Sequence, residues 1–132
     1  MNNMNLFSTV APSDLLAFGR GSAFEPRKVV EWMDFTKNEV SKITSVAKAS
    51  VRYDESAPKL VVERLEEIAN IANMVADIFE GDTAKTALWF KTKNPMLGDV
   101  SPRDMVRLGR YDRLRRFIVS AIVDRTLQRT AA

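Results

Sequence analysis

A chain of 132 residues, 45% of them hydrophobic, is long enough to bury one core, or two very small ones in contact. It has no cysteine and no histidine, which excludes a disulfide framework, a thiolate nucleophile, a Cys-containing zinc site and the commonest acid–base group and metal ligand. Its net charge of +3 permits nucleic-acid binding without demanding it.

Those absences close most enzyme mechanisms, and no two carboxylates fall where sequence spacing alone would bring them together for acid–base work. The chain therefore reads as a non-enzyme with no metal and no cofactor. Its first residues lack the basic start and unbroken apolar run of a secretory signal, and no window nears the roughly 18 apolar residues of a membrane span. A cytoplasmic protein with no membrane contact is expected.

Residues 1–24 are rich in Asn, Ser and Gly and are expected to form a flexible arm, with at most a short helix starting at Ser13-Asp14. Order is expected from Pro26, which sits at a permitted first-turn position of a helix reaching Met33. Thr36 followed by Glu39 is a capping box. The helix it starts turns Val40 and Ile43 inward and breaks at Thr44-Ser45. A second short helix is predicted over Ala47 to Tyr53, with Val46 and Val51 buried. The pair makes residues 25–57 a helix-turn-helix-like region, whose second helix would offer Lys48, Ser50, Arg52 and Tyr53 to a DNA major groove.

Leu60 to Phe79 shows the clearest helical periodicity. Val61, Leu65, Ile68, Ala72, Val75 and Phe79 form an apolar stripe, with Glu63, Glu66, Glu67, Asn70, Asn73 and Asp77 on the far side. Gly81 is expected to end it. Asp82 is expected to cap the next helix, Thr83 to Lys91, on which Trp89 would fill a core gap.

The loop TKNPMLGDVSP then spends two prolines and a glycine on one connection. Pro95 forces Asn94 out of helical conformation, Gly98 opens a turn closed to other residues, and Ser101-Pro102 with Asp104 starts another helix. Met96 and Leu97 are expected to plug the core.

The last helix carries two apolar stripes at 100° per residue. Leu114, Phe117, Ile118, Ala121 and Ile122 would close the core, while Val119, Val123 and Leu127 lie almost opposite. A small domain covers one such stripe, so Val119, Val123 and Leu127 are predicted at a homodimer interface. The alternative is a helix threaded through the middle of the domain.

Charge is uneven along the chain. Glu55 to Asp82 has seven acids and two bases, a balance of −5, while Arg103 to Arg129 has eight arginines and three acids, a balance of +5. Such runs are ordinary on solvated helix faces. An all-arginine cluster also suits bidentate recognition of carboxylates and phosphates.

The segment FEGDTAKTALWFKTKNPMLGDVSPRDMVRLGR resembles the toxin-binding domain of the Xre/MbcA/ParS-like antitoxins. The matching positions, in order, are Gly81, Asp82, Ala84, Ala87, Trp89, Asn94, Pro95, Leu97, Gly98, Pro102, Gly109 and Arg110. Upstream, Asn38 to Arg52 corresponds to that family's helix-turn-helix region, so the likeness covers roughly the last hundred residues. Two departures are Ala47 in place of the usual cap and a short interval between Pro102 and Gly109.

The resemblance implies an all-α protein whose residues 58–132 bind and block a RES-domain toxin, an NAD-consuming or ADP-ribosylating enzyme. Repression of its own operon, by contact with operator DNA, is implied for members that keep the helix-turn-helix. Trp89, Asn94, Pro95, Leu97, Gly98 and Pro102 would hold the motif together. Arg107, Arg110, Arg113, Arg116, Gln128 and Arg129 would face the toxin. A DNA-binding regulator without a toxin and a helical interaction module remain as alternatives.

Overall fold

Helix α3 (Lys59–Ile78) is the element around which the others gather. The computed structural model describes residues 10–131, with side chains through residue 125. Five further α-helices lie among them: α1 (Pro26–Met33), α2 (Lys37–Thr44), α4 (Thr83–Lys91), α5 (Pro102–Arg107) and α6 (Tyr111–Ala131). The protein is all-α, and among the described residues its β structure is a bridge between Asn94 and Val100. No helix is long and apolar enough to cross a membrane among the described residues.

The predicted stripe of α3 is buried from Val61 to Val75, with Phe79 half-buried just past the helix end, but so is every residue from Ile71 to Ala76. Helices α1, α2, α4 and α6 all pack against it, and the segment before α1 covers what remains. There the flexible-arm expectation fails for residues 10–24. The Ala11 N–H donates to Asn70 Oδ1 at 2.8 Å and the Leu16 N–H to Asn73 Oδ1 at 2.9 Å. Asn70 and Asn73, assigned to the solvent side from periodicity, are thus backbone partners of an N-terminal strap. Residues 1–9 of the expected arm lie outside the described residues.

No helix starts at Ser13-Asp14. The Asp14 carboxylate accepts hydrogen bonds from the Phe18 N–H (3.0 Å), the Gly19 N–H (2.8 Å) and Asn73 Nδ2 (3.0 Å), which ties a turn to α3. Burial pushes the Asp14 carboxyl up, but these bonds and the Arg20 charge outweigh it and hold it below the ordinary value of 3.8. Gly19 follows at φ +87°, where a Cβ would stand 2.1 Å from the Ala23 carbonyl oxygen. The turn buries Phe18, whose ring meets Trp32 edge-on at 6.0 Å.

Helix α2 starts with the predicted capping box. Thr36 Oγ1 accepts from the Glu39 N–H at 3.1 Å, and Glu39 Oε1 accepts from the Thr36 N–H at 2.9 Å. It ends at Ser45, which takes a left-handed φ of 60°. The second helix of the predicted hairpin is absent: Lys48–Ser50 form one 3-10 turn, followed by extended chain. Ala47 has no side-chain oxygen with which to cap it, and Ser41 Oγ instead donates to the Val46 carbonyl at 2.6 Å, tying the chain back onto α2.

A single cluster of buried residues runs from Ala11 to Val119. Helix α6 contributes Tyr111, Leu114, Ile118 and Val119 to it and packs on both α3 and α5. Val119 is only 6% exposed, which corrects its assignment to a dimer interface: the chain's own core takes the valine. Val123 is half-buried against the same cluster, while Ala121 of the core stripe is exposed. With two helices beneath it, α6 buries flanks that a single contact could not cover. Leu127, the third residue of that predicted interface, lies outside the described side chains.

Candidate functional site

The segment from Gly81 to Arg110 builds one corner from α4, the loop and α5. Asp82 caps α4 by accepting from the Lys85 N–H at 3.0 Å, as the sequence predicts. At its far end, Thr92 Oγ1 donates to the Leu88 carbonyl, and the chain enters the loop at Asn94.

Asn94 organises everything that follows. Its N–H donates to the Val100 carbonyl at 3.2 Å, and its Oδ1 accepts from the Met96 N–H at 2.9 Å. Its carbonyl accepts from the N–H groups of Leu97 (2.9 Å) and Asp99 (3.0 Å). Pro95–Leu97 form a 3-10 turn, and Gly98 (φ 79°) and Asp99 (φ 61°) bring the chain back in left-handed conformation. Leu97 is buried, as expected. Met96 is not the second plug: alternation around the turn sends its side chain outward.

Ser101 Oγ accepts from the Asp104 N–H at 3.1 Å and Pro102 occupies the first helical position, so α5 starts as predicted. It ends on Gly109, with the Arg110 N–H bonded to the Met105 carbonyl (2.8 Å) and the Gly109 N–H to the Val106 carbonyl (3.0 Å). This is a Schellman closure, which needs Gly109 at φ 79°. The same closure ends α3: Glu80 takes the left-handed position (φ 56°), and Gly81, also at positive φ (86°), supplies the closing N–H to the Ala76 carbonyl at 2.8 Å.

Trp89 is half-buried, and the wholly buried aromatic of α4 is its neighbour Phe90. Rings meet edge-on from Trp89 to Phe90 (5.1 Å) and from Phe90 to Trp32 (5.3 Å). With Phe18 they form a chain of four aromatics joining the strap, α1 and α4.

The arginines divide into two groups. Arg103, on the first turn of α5, donates from Nε to the Met33 carbonyl and from Nη2 to the Asp34 carbonyl, the end of α1. Its Nη2 also meets Glu39 Oε1 at 3.1 Å, and its guanidinium lies 5.4 Å from the centre of the Phe35 ring. Arg107 bonds Asp104 Oδ1 at 3.0 Å and reaches Glu39 Oε2 at 3.7 Å. Arg107, assigned to the toxin by resemblance, is therefore partly engaged within the chain. Apart from a 3.5 Å contact with the adjacent Asp104, the partners of Arg103 lie 64 to 70 residues away, so local spacing does not mark it.

Arg110, Arg113 and Arg116 are exposed, on or just before the first turns of α6. Gln128 and Arg129 lie outside the described side chains. Leu88, Met96 and Leu108 are large apolar side chains left exposed on the α4–loop–α5 corner.

The four DNA-candidate residues do not share a helix face, since there is no helix beneath them. Lys48, Ser50 and Arg52 are exposed, and Arg52 Nη1 folds back to the carbonyls of Ala49 (3.0 Å) and Val51 (3.2 Å). The Tyr53 ring lies under Arg27 at 5.5 Å, and its buried hydroxyl makes no hydrogen bond with the described residues. Burial raises its pKa.

A recess of about 640 Å³ separates the strap from α3, with Arg20, Arg64, Glu63, Glu66, Glu67 and Asn70 among its lining residues. Arg64 and Glu67 already pair at 2.6 Å across its wall. No group of three or more acidic side chains suited to a metal ion occurs among the described residues. No protein-family model, curated protein or solved structure matches this chain.

Proposed function

We propose that the chain is a non-enzymatic antitoxin that binds and blocks a RES-domain toxin, as its likeness to the Xre/MbcA/ParS-like antitoxins implies. One observation supports the reading above others: six of the twelve motif positions have separate structural tasks in a single corner. Asp82 caps α4, Asn94 and Gly98 shape the loop, Leu97 anchors it, Pro102 opens α5 and Gly109 closes it. Six residues spent on holding one angle are consistent with something beyond the corner depending on that angle. The exposed arginines 110, 113 and 116 start at the closure and continue beyond it, and guanidinium groups suit carboxylates on a partner protein.

Autorepression through the Thr36–Tyr53 region has less support, since no second helix is there to lie in a groove. A helical interaction module with another partner would use the same corner.

Co-expression with a RES-domain protein encoded beside it tests the proposal. Wild type should restore growth and co-purify with the toxin. The triple variant Arg110→Glu, Arg113→Glu, Arg116→Glu should keep its melting temperature and lose rescue. Full rescue by a folded triple variant would remove these arginines from the interface, and failure of wild type to bind any such neighbour would remove the antitoxin reading itself.

A further inference from the structure

Four methionines have described side chains, and one stands apart. Met33, Met74 and Met105 are each at most 1% exposed, whereas Met96 is 77% exposed. A thioether reacts with two-electron oxidants through a sulfur lone pair, so the oxidant must reach the sulfur. The three core sulfurs become reachable only when the helices around them open. Met96 can be reached in the folded protein.

The turn that carries Met96 also keeps its side chain from being needed by the fold. Its N–H is held by Asn94 Oδ1, Pro95 fixes the backbone before it, and buried Leu97 anchors the backbone after it. Gly98 and Asp99 then return the chain to Val100. The hydrogen bonds that hold the turn use backbone groups and the Asn94 side chain, not the Met96 side chain. Adding a polar oxygen at the Met96 sulfur therefore costs the core no packing, unlike the same change at Met33, Met74 or Met105.

We propose that Met96 is a reversible oxidation site, selective among the four described methionines. Hydrogen peroxide transfers one oxygen atom to the sulfur, which goes from thioether to sulfoxide while the peroxide is reduced to water. Methionine sulfoxide reductase reverses the step with a dithiol, which is oxidised to a disulfide as the oxygen leaves as water. The surface of the loop changes from apolar to strongly polar while the fold stays as it is. This inference does not depend on the antitoxin reading.

Tryptic cleavage separates the relevant sites: Met96 falls between Lys93 and Arg103, Met33 between Lys28 and Lys37, Met74 between Arg64 and Lys85, and Met105 between Arg103 and Arg107. The full chain, treated with dilute peroxide, should gain one oxygen on the Met96 peptide at least about tenfold faster than on the other three. Its melting temperature should be unchanged while Met96 is the one of these four that is oxidised, and reductase with dithiol should restore the original mass. The variant Met96→Leu should melt as wild type does and keep its melting curve under the same exposure. Oxidation of Met33, Met74 or Met105 as fast as Met96 would overturn the proposal. So would a fall in melting temperature that tracks Met96 oxidation and is absent in Met96→Leu.

Discussion

Removing the Arg103 side chain is the most direct test of how the two halves of the sequence are joined. Its guanidinium reaches the last carbonyls of α1 at Met33 and Asp34, the Glu39 carboxylate of the α2 capping box, and the face of Phe35, with the side chain only 20% exposed. Hydrogen bonds that involve a charged group contribute about 1.5–3 kcal/mol each, and stacking on an aromatic ring about 0.5–1 kcal/mol. The α1 carbonyls can take water when Arg103 is gone, and the Glu39 pair is partly screened by solvent. Arg103→Ala should therefore destabilise by roughly 2–4 kcal/mol, below the simple sum. For a chain of this length that corresponds to a fall in Tm of roughly 6–15 °C. Thermal unfolding followed by circular dichroism measures it. Arg103→Lys should recover less than half of the loss, because an ammonium cannot serve two carbonyls and a carboxylate in one plane. Hydrogen exchange should also quicken at the first turn of α2, where Glu39 loses its partner. A Tm for Arg103→Ala within about 2 °C of wild type would refute the reasoning.

Three further outcomes follow from the same geometry. Glu80→Gly should stabilise the protein by about 0.5–1 kcal/mol, read from denaturant midpoints, because Glu80 holds a left-handed φ of 56° at the end of α3 without the freedom glycine has there. Trp89→Ala should cost about 1.5–3 kcal/mol, less than full burial would give, since the ring is half-buried, and Phe90→Ala should cost more. Asp14→Ala should cost about 1–2 kcal/mol at neutral pH through lost caps on Phe18 and Gly19. Because the folded Asp14 carboxyl titrates below its ordinary 3.8, its contribution is full above that value and lost as pH falls through the folded one. The gap in Tm between wild type and Asp14→Ala should accordingly close in acid, and a gap constant down to pH 2 would contradict the strap geometry.

Features written in local spacing were legible from sequence. The Thr36–Glu39 capping box, the Asp82 cap and the Ser101-Pro102 start of α5 each depend on residues at most three apart, and all three form as predicted. Features that depend on what arrives from elsewhere in the chain were not. Asn70 and Asn73 fall on the polar side of α3 by periodicity, and only a strap some 57 to 59 residues upstream makes them interior hydrogen-bond partners. Val119 falls outside the core stripe of α6, yet it is buried where that helix lies on α3 and α5, while Ala121 of the stripe is exposed. The missing helix over Ala47–Tyr53 has the opposite cause: with no cap at Ala47, local propensity had nothing to nucleate it, and the chain settled for one 3-10 turn tied to Ser41. Arg103 unites both lessons. By spacing it is one of eight C-terminal arginines, and by geometry it is bound to the loop that closes α1 and to the cap that starts α2. The corner that would meet a partner is thereby anchored on the N-terminal helices, with Arg103 and, more loosely, Arg107 joining α5 to Glu39 of α2.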